Sequence, residues 1–210
     1  MRNPENVLNS LQAHSAQSDY AYDRLYRNLY NRELFFQAYQ NIYANKGNMT
    51  AGTDGKTIDA MSMERIDRLI ETLKDESYQP KPSRRTYIPK ANGKQRPLGI
   101  PTVVDRVIQQ ATAQVLSLGY ERYFSEYSHG FRPNRSCHTA MAQALTYLNE
   151  GYEWVIDLDI EKYFDTVNHD KLVSILRERI NDAPTLHLIR SFLKAGVMEN
   201  GLESPSEEGV

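Results

Sequence analysis

Apolar residues recur at helical spacing along much of this chain of 210 residues. Between residues 18 and 44 they repeat every three, four or seven positions, at Leu25, Leu29, Phe36, Tyr39 and Tyr43. This spacing predicts a helix over 18–44. The same periodicity predicts later helices over 62–73, 105–120, 136–148 and 183–195, and one that runs from Asn168 or Asp170 to Arg179. The first dozen residues are polar and are predicted to fray.

Three segments have the pattern of β-strands. Residues 85–89 and 95–100 are two of them, and the Asn-Gly pair at 92–93 between them is a strong hairpin signal because both residues tolerate positive φ. The apolar run at 154–158 predicts a buried strand that ends at Asp159. The order of helices, hairpin, helices, strand and helices predicts an α+β fold rather than a βαβ array.

The net charge of −2 conceals a basic region in the middle of the chain. Residues 84–135 contain nine Lys or Arg and three Asp or Glu, a local excess of +6. A basic surface of this kind is typical of proteins that contact phosphates. Beyond Lys194 the chain is acidic, and the segment from Glu203 onward is predicted to be a loop.

Cysteine content and hydropathy favour a cytoplasmic location. Cys137 is the single cysteine and forms no internal disulfide, which fits a reducing compartment. The sequence has no apolar run of about 18 or more residues and no signal-peptide pattern at its start. We therefore predict no association with a membrane.

Asp159 lies where the predicted strand meets a turn. A carboxylate at this point can hold Mg²⁺, a hard cation that prefers oxygen ligands and also binds substrate phosphates. The alternative is an acid that caps the turn between the strand and the next helix. Asp157 lies on the same face, one step back along the strand. We interpret it as an acid that lies behind the metal ligands or on the surface, rather than as a ligand itself.

Lys90 and Arg96 flank the predicted hairpin turn. A lysine offers phosphate a point charge and an arginine offers a two-pronged donor, so the pair suits a phosphate-bearing ligand. The alternative is an exposed basic hairpin without a ligand. Residues 46–55 form a predicted loop, and backbone amides in such a glycine-containing loop can contact phosphates without reading sequence.

Four segments of the chain resemble, in the same order, four blocks of the reverse transcriptases encoded by bacterial group II introns. They are AGTDG at 51–55, YIPKANGKQRPLGIP at 87–101, HGFRPNRS at 129–136 and DIEKYFD at 159–165. The matches cover most of the chain from about Leu34 to Gly196. The resemblance implies right-hand polymerase fingers, made of helices and a β-hairpin, joined to the first part of an incomplete palm sheet.

The same resemblance implies three parts and a metal-dependent reaction. An N-terminal helical extension with a template-contacting loop would occupy 1–60, the fingers with their hairpin 61–150, and the first part of the palm 151–210. The implied reaction is two-metal nucleotidyl transfer. Asp159 would be catalytic, and its carboxylate and the backbone carbonyl of Ile160 would bind Mg²⁺.

Nucleotide and template contacts also follow from the resemblance. Lys90 and Arg96 would bind the triphosphate, and the Phe164 ring would lie under the deoxyribose, where it would exclude a 2′-hydroxyl. The implied template contacts are Pro89, Leu98 and Arg132. The loop over 48–55 would lie across the template.

The implied partners are group II intron RNA, an RNA template, a DNA primer and deoxynucleotides. The family's later blocks, which carry the other metal-binding carboxylates, are not found before Val210. We therefore interpret the chain as the N-terminal part of a polymerase and predict that it is inactive alone. Exposed palm surface predicts self-association as a homodimer. The alternatives are a non-catalytic RNA-binding or splicing module, in which Asp159 is idle, and a retron or defence-associated reverse transcriptase.

Overall fold

The computed structural model describes residues 3–15, 17 and 20–209. These residues form seven α-helices: α1 (Pro4–Ser15), α2 (Arg32–Tyr43), α3 (Met63–Lys74), α4 (Val103–Tyr120), α5 (Cys137–Asn149), α6 (His169–Arg177) and α7 (Ala183–Lys194). They also form four strands: β1 (Ser83–Pro89), β2 (Gln95–Ile100), β3 (Val197–Glu199) and β4 (Leu202–Ser204). The α+β class predicted from the order of elements is confirmed.

Capping residues set where several helices begin. The Ser62 side chain accepts a hydrogen bond from the N–H of Arg65 at the start of α3. Ser136 and Thr139 form a reciprocal capping box at the start of α5. Asn168 caps α6, so this helix begins at the first of its two predicted positions. The helices predicted from residue 62 onward are confirmed, with ends that shift by a few residues.

The N-terminal part of the chain differs from the prediction. Pro4–Ser15 form α1, so the expectation of a frayed start is wrong for residues 4–12, while residues 1 and 2 lie outside the described part. The single helix predicted over 18–44, whose residues 18 and 19 lie outside the described part, is also wrong, because a 3-10 turn at Tyr26–Tyr30 precedes α2. The Asn31 side chain accepts a hydrogen bond from the N–H of Glu33 and so starts a new helix.

The four strands form one sheet in the order β2-β1-β3-β4. β1 and β2 pair antiparallel, which confirms the predicted hairpin, and β1 pairs in parallel with β3. β3 and β4 form a second hairpin around Asn200 and Gly201, which have φ values of 51° and 81°. Because β4 includes Glu203, the loop predicted from that residue onward is wrong at its start.

The strand predicted over 154–158 is wrong. Residues 152–160 have no regular secondary structure, and their apolar side chains face solvent: Trp154 is 93% exposed and Leu158 is 87% exposed. A strand with such a sequence needs neighbours that pair with its backbone and cover its faces. The described residues provide no strand that pairs with it.

The hydrophobic core lies where the N-terminal segments pack on α3 and α4. Phe35, Ile58, Leu73, Val107 and Ile108 are fully buried there. The N–H of Tyr26 donates to the Asp182 carboxylate over 2.7 Å, which ties the N-terminal region to the start of α7. α5, by contrast, has no buried residue. No helix in the described part of the chain has the length and apolar character needed to cross a bilayer.

Candidate nucleotide and template site

The β1–β2 hairpin places two cations beside a tight turn. The N–H of Gly93 donates to the Lys90 carbonyl over 3.0 Å, and the N–H of Lys90 donates to the Lys94 carbonyl over 2.7 Å. Gly93 has a φ of 76°, which a residue without a side chain adopts at little cost. The turn therefore holds Lys90 at the end of β1, and Arg96 follows at the start of β2.

Lys90 and Arg96 are exposed and form no ion pair among the described residues. Arg96 and Leu98 lie on one face of β2, because side chains alternate along a strand, and Ile88 lies opposite Arg96. Pro89, one residue further along β1, lies on the other face of the hairpin. The structure thus groups Leu98 with Arg96 and separates both from Pro89.

A loop before α3 is bonded to the hairpin and to α4 through two arginines. We call residues 47–54 the clamped loop. The Arg106 guanidinium on α4 donates to the carbonyls of Gly47, Asn48 and Thr50 over 3.5, 3.4 and 2.8 Å. The Arg84 guanidinium on β1 donates twice to the Ala51 carbonyl, over 3.0 and 2.8 Å. The loop, the hairpin and α4 are therefore connected side by side.

A buried carboxylate fixes the base of the hairpin against the first turn of α4. Asp105 accepts hydrogen bonds from the Tyr78 hydroxyl, the Thr102 hydroxyl and the N–H of Lys81. Burial raises the pKa of the Asp105 carboxyl, and the hydrogen bonds from Thr102 and Tyr78 oppose that rise. Burial and the adjacent Asp105 raise the pKa of Tyr78, so its hydroxyl stays protonated and donates.

Arg132, which the resemblance assigns to a template contact, is held by partners within the protein. Its side chain is 8% exposed and forms an ion pair with Glu121 over 2.8 Å. The guanidinium also donates to the carbonyls of Ser125 and Ser128. These contacts hold the loop between α4 and α5, and the template contact of Arg132 stays a prediction. Sequence spacing gave no signal for these contacts.

Asp159 is exposed and precedes a short 3-10 turn. Lys162 adopts a left-handed conformation with a φ of 51°, and the turn follows at Tyr163–Asp165. Phe164 is 61% exposed, and its ring packs edge-on against Tyr163 with 5.4 Å between ring centroids. Asp165 lies in the turn and does not cap α6, a role that belongs to Asn168.

The segment after Phe164 is held by the last described residues of the chain. The N–H of Gly209 donates to the Val167 carbonyl over 2.8 Å, and the buried ring of His169 lies 2.6 Å from the Gly209 carbonyl. A side chain at Gly209 would approach the Phe164 carbonyl to 3.0 Å. This close packing fixes the backbone on which Phe164 sits.

The described residues hold the candidate site in two separate groups. No hydrogen bond or ion pair within them joins Lys90 or Arg96 to the segment that carries Asp159 and Phe164. They also include no group of three or more His, Cys, Asp or Glu side chains placed to hold a metal ion. Asp159 and Ile160 are both exposed, and their role as magnesium ligands stays a prediction.

Comparison with known proteins identifies the family of this chain. The reverse transcriptase (RNA-dependent DNA polymerase) family profile matches residues 88–210, which include both the hairpin turn and Asp159. The chain therefore belongs to the reverse transcriptase family. Among its relatives, group II intron-encoded protein LtrA of Lactococcus lactis subsp. cremoris is 44% identical over 183 residues, which cover 87% of this chain and 30% of LtrA.

One further relative and one solved structure are also similar to the chain. An uncharacterized 91 kDa protein in the cob intron of Schizosaccharomyces pombe is 41% identical over 200 residues, which cover 92% of this chain and 25% of that protein. In a solved structure, a chain of a Cas6-RT-Cas1–Cas2 complex has the same fold with a TM-score of 0.56 and 23% identity, over 87% of this chain and 19% of that chain. The chain thus spans less than a third of the length of each of these proteins.

Proposed function

We propose that this chain forms the fingers and the start of the palm of an RNA-directed DNA polymerase that a group II intron encodes. The observation that carries the proposal is the family match over residues 88–210, which spans the basic hairpin and the Asp159 segment together. A charged hairpin alone would suit many phosphate-binding proteins. The hairpin followed in order by an exposed aspartate and an aromatic residue suits nucleotidyl transfer.

In the proposed reaction a primer 3′-hydroxyl attacks the α-phosphate of a deoxynucleotide. Bound Mg²⁺ ions would activate the attacking oxygen and stabilise the leaving one. Asp159 and the carbonyl of Ile160 would hold magnesium, which takes few protein ligands and retains water and substrate phosphates. Further carboxylates would come from the part of the parent protein that corresponds to the remaining length of its relatives. On this proposal the 210-residue chain is inactive by itself.

The hairpin and Phe164 would bind and select the nucleotide. Lys90 and Arg96 are exposed cations without ion pairs among the described residues, so they are available for a triphosphate. Leu98 shares a face with Arg96 and would pack on the templating base, whereas Pro89 would contact nucleic acid only from the opposite face. The exposed Phe164 ring would lie under the sugar and disfavour a 2′-hydroxyl.

The proposed partners are group II intron RNA, an RNA template paired with a DNA primer, and deoxynucleotides. Binding of the intron RNA would add a maturase role in splicing. The exposed apolar residues at 152–160 would be covered in the parent protein, and in the isolated chain they would favour self-association.

A non-catalytic RNA-binding module is the second candidate. It is favoured by the irregular, exposed segment around Asp159, where the described residues form no metal-binding cluster. In that case the basic hairpin would bind structured RNA and Asp159 would have no catalytic role.

Primer extension on an RNA template with Mg²⁺ separates the two candidates. The parent protein would be compared with its Asp159→Ala and Asp157→Ala variants, both of which remove an exposed carboxylate from the same segment. We expect Asp159→Ala to abolish extension, whereas Asp157→Ala retains most of it. No extension by the parent protein, with RNA binding retained, would favour the RNA-binding module. Full extension by Asp159→Ala would instead show that Asp159 is not a catalytic ligand.

A further inference from the structure

Arg84 and Arg106 direct their charges into the protein. The Arg106 guanidinium reaches three carbonyls of the clamped loop, and the Arg84 guanidinium reaches a fourth, at Ala51. Both arginines belong to the basic set that the charge pattern assigns to a phosphate-contacting surface. Their observed partners are backbone carbonyls, so their effect on nucleic acid would be indirect.

The clamped loop keeps a row of backbone donors free. The N–H groups of residues 51–54 donate to no acceptor within the described part of the chain, while the carbonyls of Thr50 and Ala51 point to the two guanidiniums. Successive N–H groups in a turn can form a concave anion-binding surface. Such groups contact phosphate oxygens and carry no net charge.

A glycine fixes the position of the same loop independently of charge. A side chain at Gly52 would lie 2.7 Å from the Pro101 carbonyl and from the backbone nitrogen of Thr102. The Thr53 hydroxyl also donates to the Pro82 carbonyl over 3.1 Å. The loop is therefore seated directly on the residues that precede α4 and β1.

We infer that Arg106, assisted by Arg84, is a positioning residue that holds the clamped loop with its 51–54 N–H groups toward a phosphate of the template strand. Arg106 acts through the loop and does not contact nucleic acid. This inference rests on the proposed function, since it assumes that a template strand lies beside the hairpin. It moves two of the nine basic residues at 84–135 from phosphate contact to loop positioning.

Salt dependence distinguishes a positioning arginine from one that binds phosphate. A side chain that neutralises a phosphate releases counterions, so its removal lowers the slope of log K against log salt by about 0.7 to 1. Contacts from neutral N–H groups release no counterions. Loss of Arg106 should therefore weaken RNA binding without changing that slope.

The test measures binding of a single-stranded RNA oligonucleotide to the 210-residue chain by fluorescence anisotropy at several salt concentrations. We expect Arg106→Gln and Gly52→Ala to weaken binding roughly three- to tenfold, the equivalent of one or two hydrogen bonds, with the wild-type salt slope. Gly130→Ala is the matched control, because a side chain there would meet no atom within 4 Å.

Hydrogen exchange gives a second readout at the loop itself. RNA should slow exchange of the 51–54 amides in the wild-type chain and slow it much less in Arg106→Gln and Gly52→Ala. If circular dichroism shows that Arg106→Gln does not fold, the same binding and exchange measurements on Gly52→Ala and Arg84→Gln test the inference.

Two results would overturn the inference. One is a salt slope that falls by about 0.7 to 1 in Arg106→Gln, because Arg106 would then bind phosphate directly. The other is wild-type binding by Gly52→Ala. A wild-type chain that shows no salt-dependent RNA binding would instead refute the proposed function.

Discussion

Asp105 is the buried acid that joins the first turn of α4 to the base of the hairpin. Its carboxylate accepts hydrogen bonds from Tyr78, Thr102 and the backbone of Lys81. The sequence identifies it only as one of three acids in a basic region, because its partners lie up to 27 residues away. Burial raises its pKa, so the folded state holds a proton on this group more tightly than the unfolded state does.

The raised pKa of Asp105 predicts how its effect on stability varies with pH. Its contribution is fully present below the ordinary value of 3.8 and is lost as the pH rises through the higher value of the folded state. Asp105→Asn lacks this titration. We therefore expect the difference in free energy of unfolding between wild type and Asp105→Asn to narrow with rising pH, measured by urea denaturation.

Asp75→Asn serves as a control of opposite sign. Hydrogen bonds from Ser77 lower the pKa of the exposed Asp75 carboxyl, so its contribution is present above 3.8 and is lost as the pH falls. The difference in free energy of unfolding between wild type and Asp75→Asn should widen with rising pH. If the difference in free energy of unfolding between wild type and Asp105→Asn also widens with rising pH, folding lowers the pKa of Asp105, and the prediction is wrong.

At the scale of elements, local signals predict much of the structure. Serines at 62 and 136 start helices, and the Asn-Gly pair at 92–93 turns a hairpin, because each acts on backbone groups within a few residues. The Asn-Gly pair at 200–201 carries the same signal, and applying it there would have found β3 and β4. The strand predicted at 154–158 depends on partners distant in sequence, which an apolar run alone does not identify.

The β3–β4 hairpin makes a prediction through its glycines. Gly196 has a φ of 75°, and a side chain there would lie 2.3 Å from the Ser204 carbonyl, so Gly196→Ala requires the backbone to move. Gly201→Ala is the matched control, since its φ is 81° but a side chain would meet no atom within 4 Å.

We expect Gly201→Ala to lower the free energy of unfolding by about 1 kcal/mol through backbone strain alone. Gly196→Ala should cost about 2 kcal/mol or more, because a clash with backbone is added. Urea unfolding of both variants measures the difference. Equal losses would show that β4 does not pack against Gly196.

At the scale of the whole molecule, elements distant in sequence are joined while the candidate catalytic segment stays open. β1 pairs with β3, so the base of the hairpin and the C-terminal strands share one sheet. Residues 152–160 and the apolar side chains of α5, by contrast, face solvent, with Leu145 and Leu148 more than half exposed. An apolar surface of this extent is typical of a region that another part of a protein covers.

The whole-molecule account predicts that the chain contributes a metal-binding carboxylate to an active site completed elsewhere. If so, the chain alone should not extend a primer, and mixing it with the separately produced remainder of its parent protein should restore activity. The exposed surface around 152–160 is where we expect the two pieces to meet.

The most direct measurement is deoxynucleotide incorporation on an RNA template with Mg²⁺ by this two-piece mixture, with wild-type or Asp159→Ala chain. The account predicts incorporation with the wild-type chain, none with either piece alone, and none with Asp159→Ala, while the variant still binds the remainder. Equal incorporation by the wild-type and Asp159→Ala mixtures would contradict it, because Asp159 would then not be a catalytic ligand.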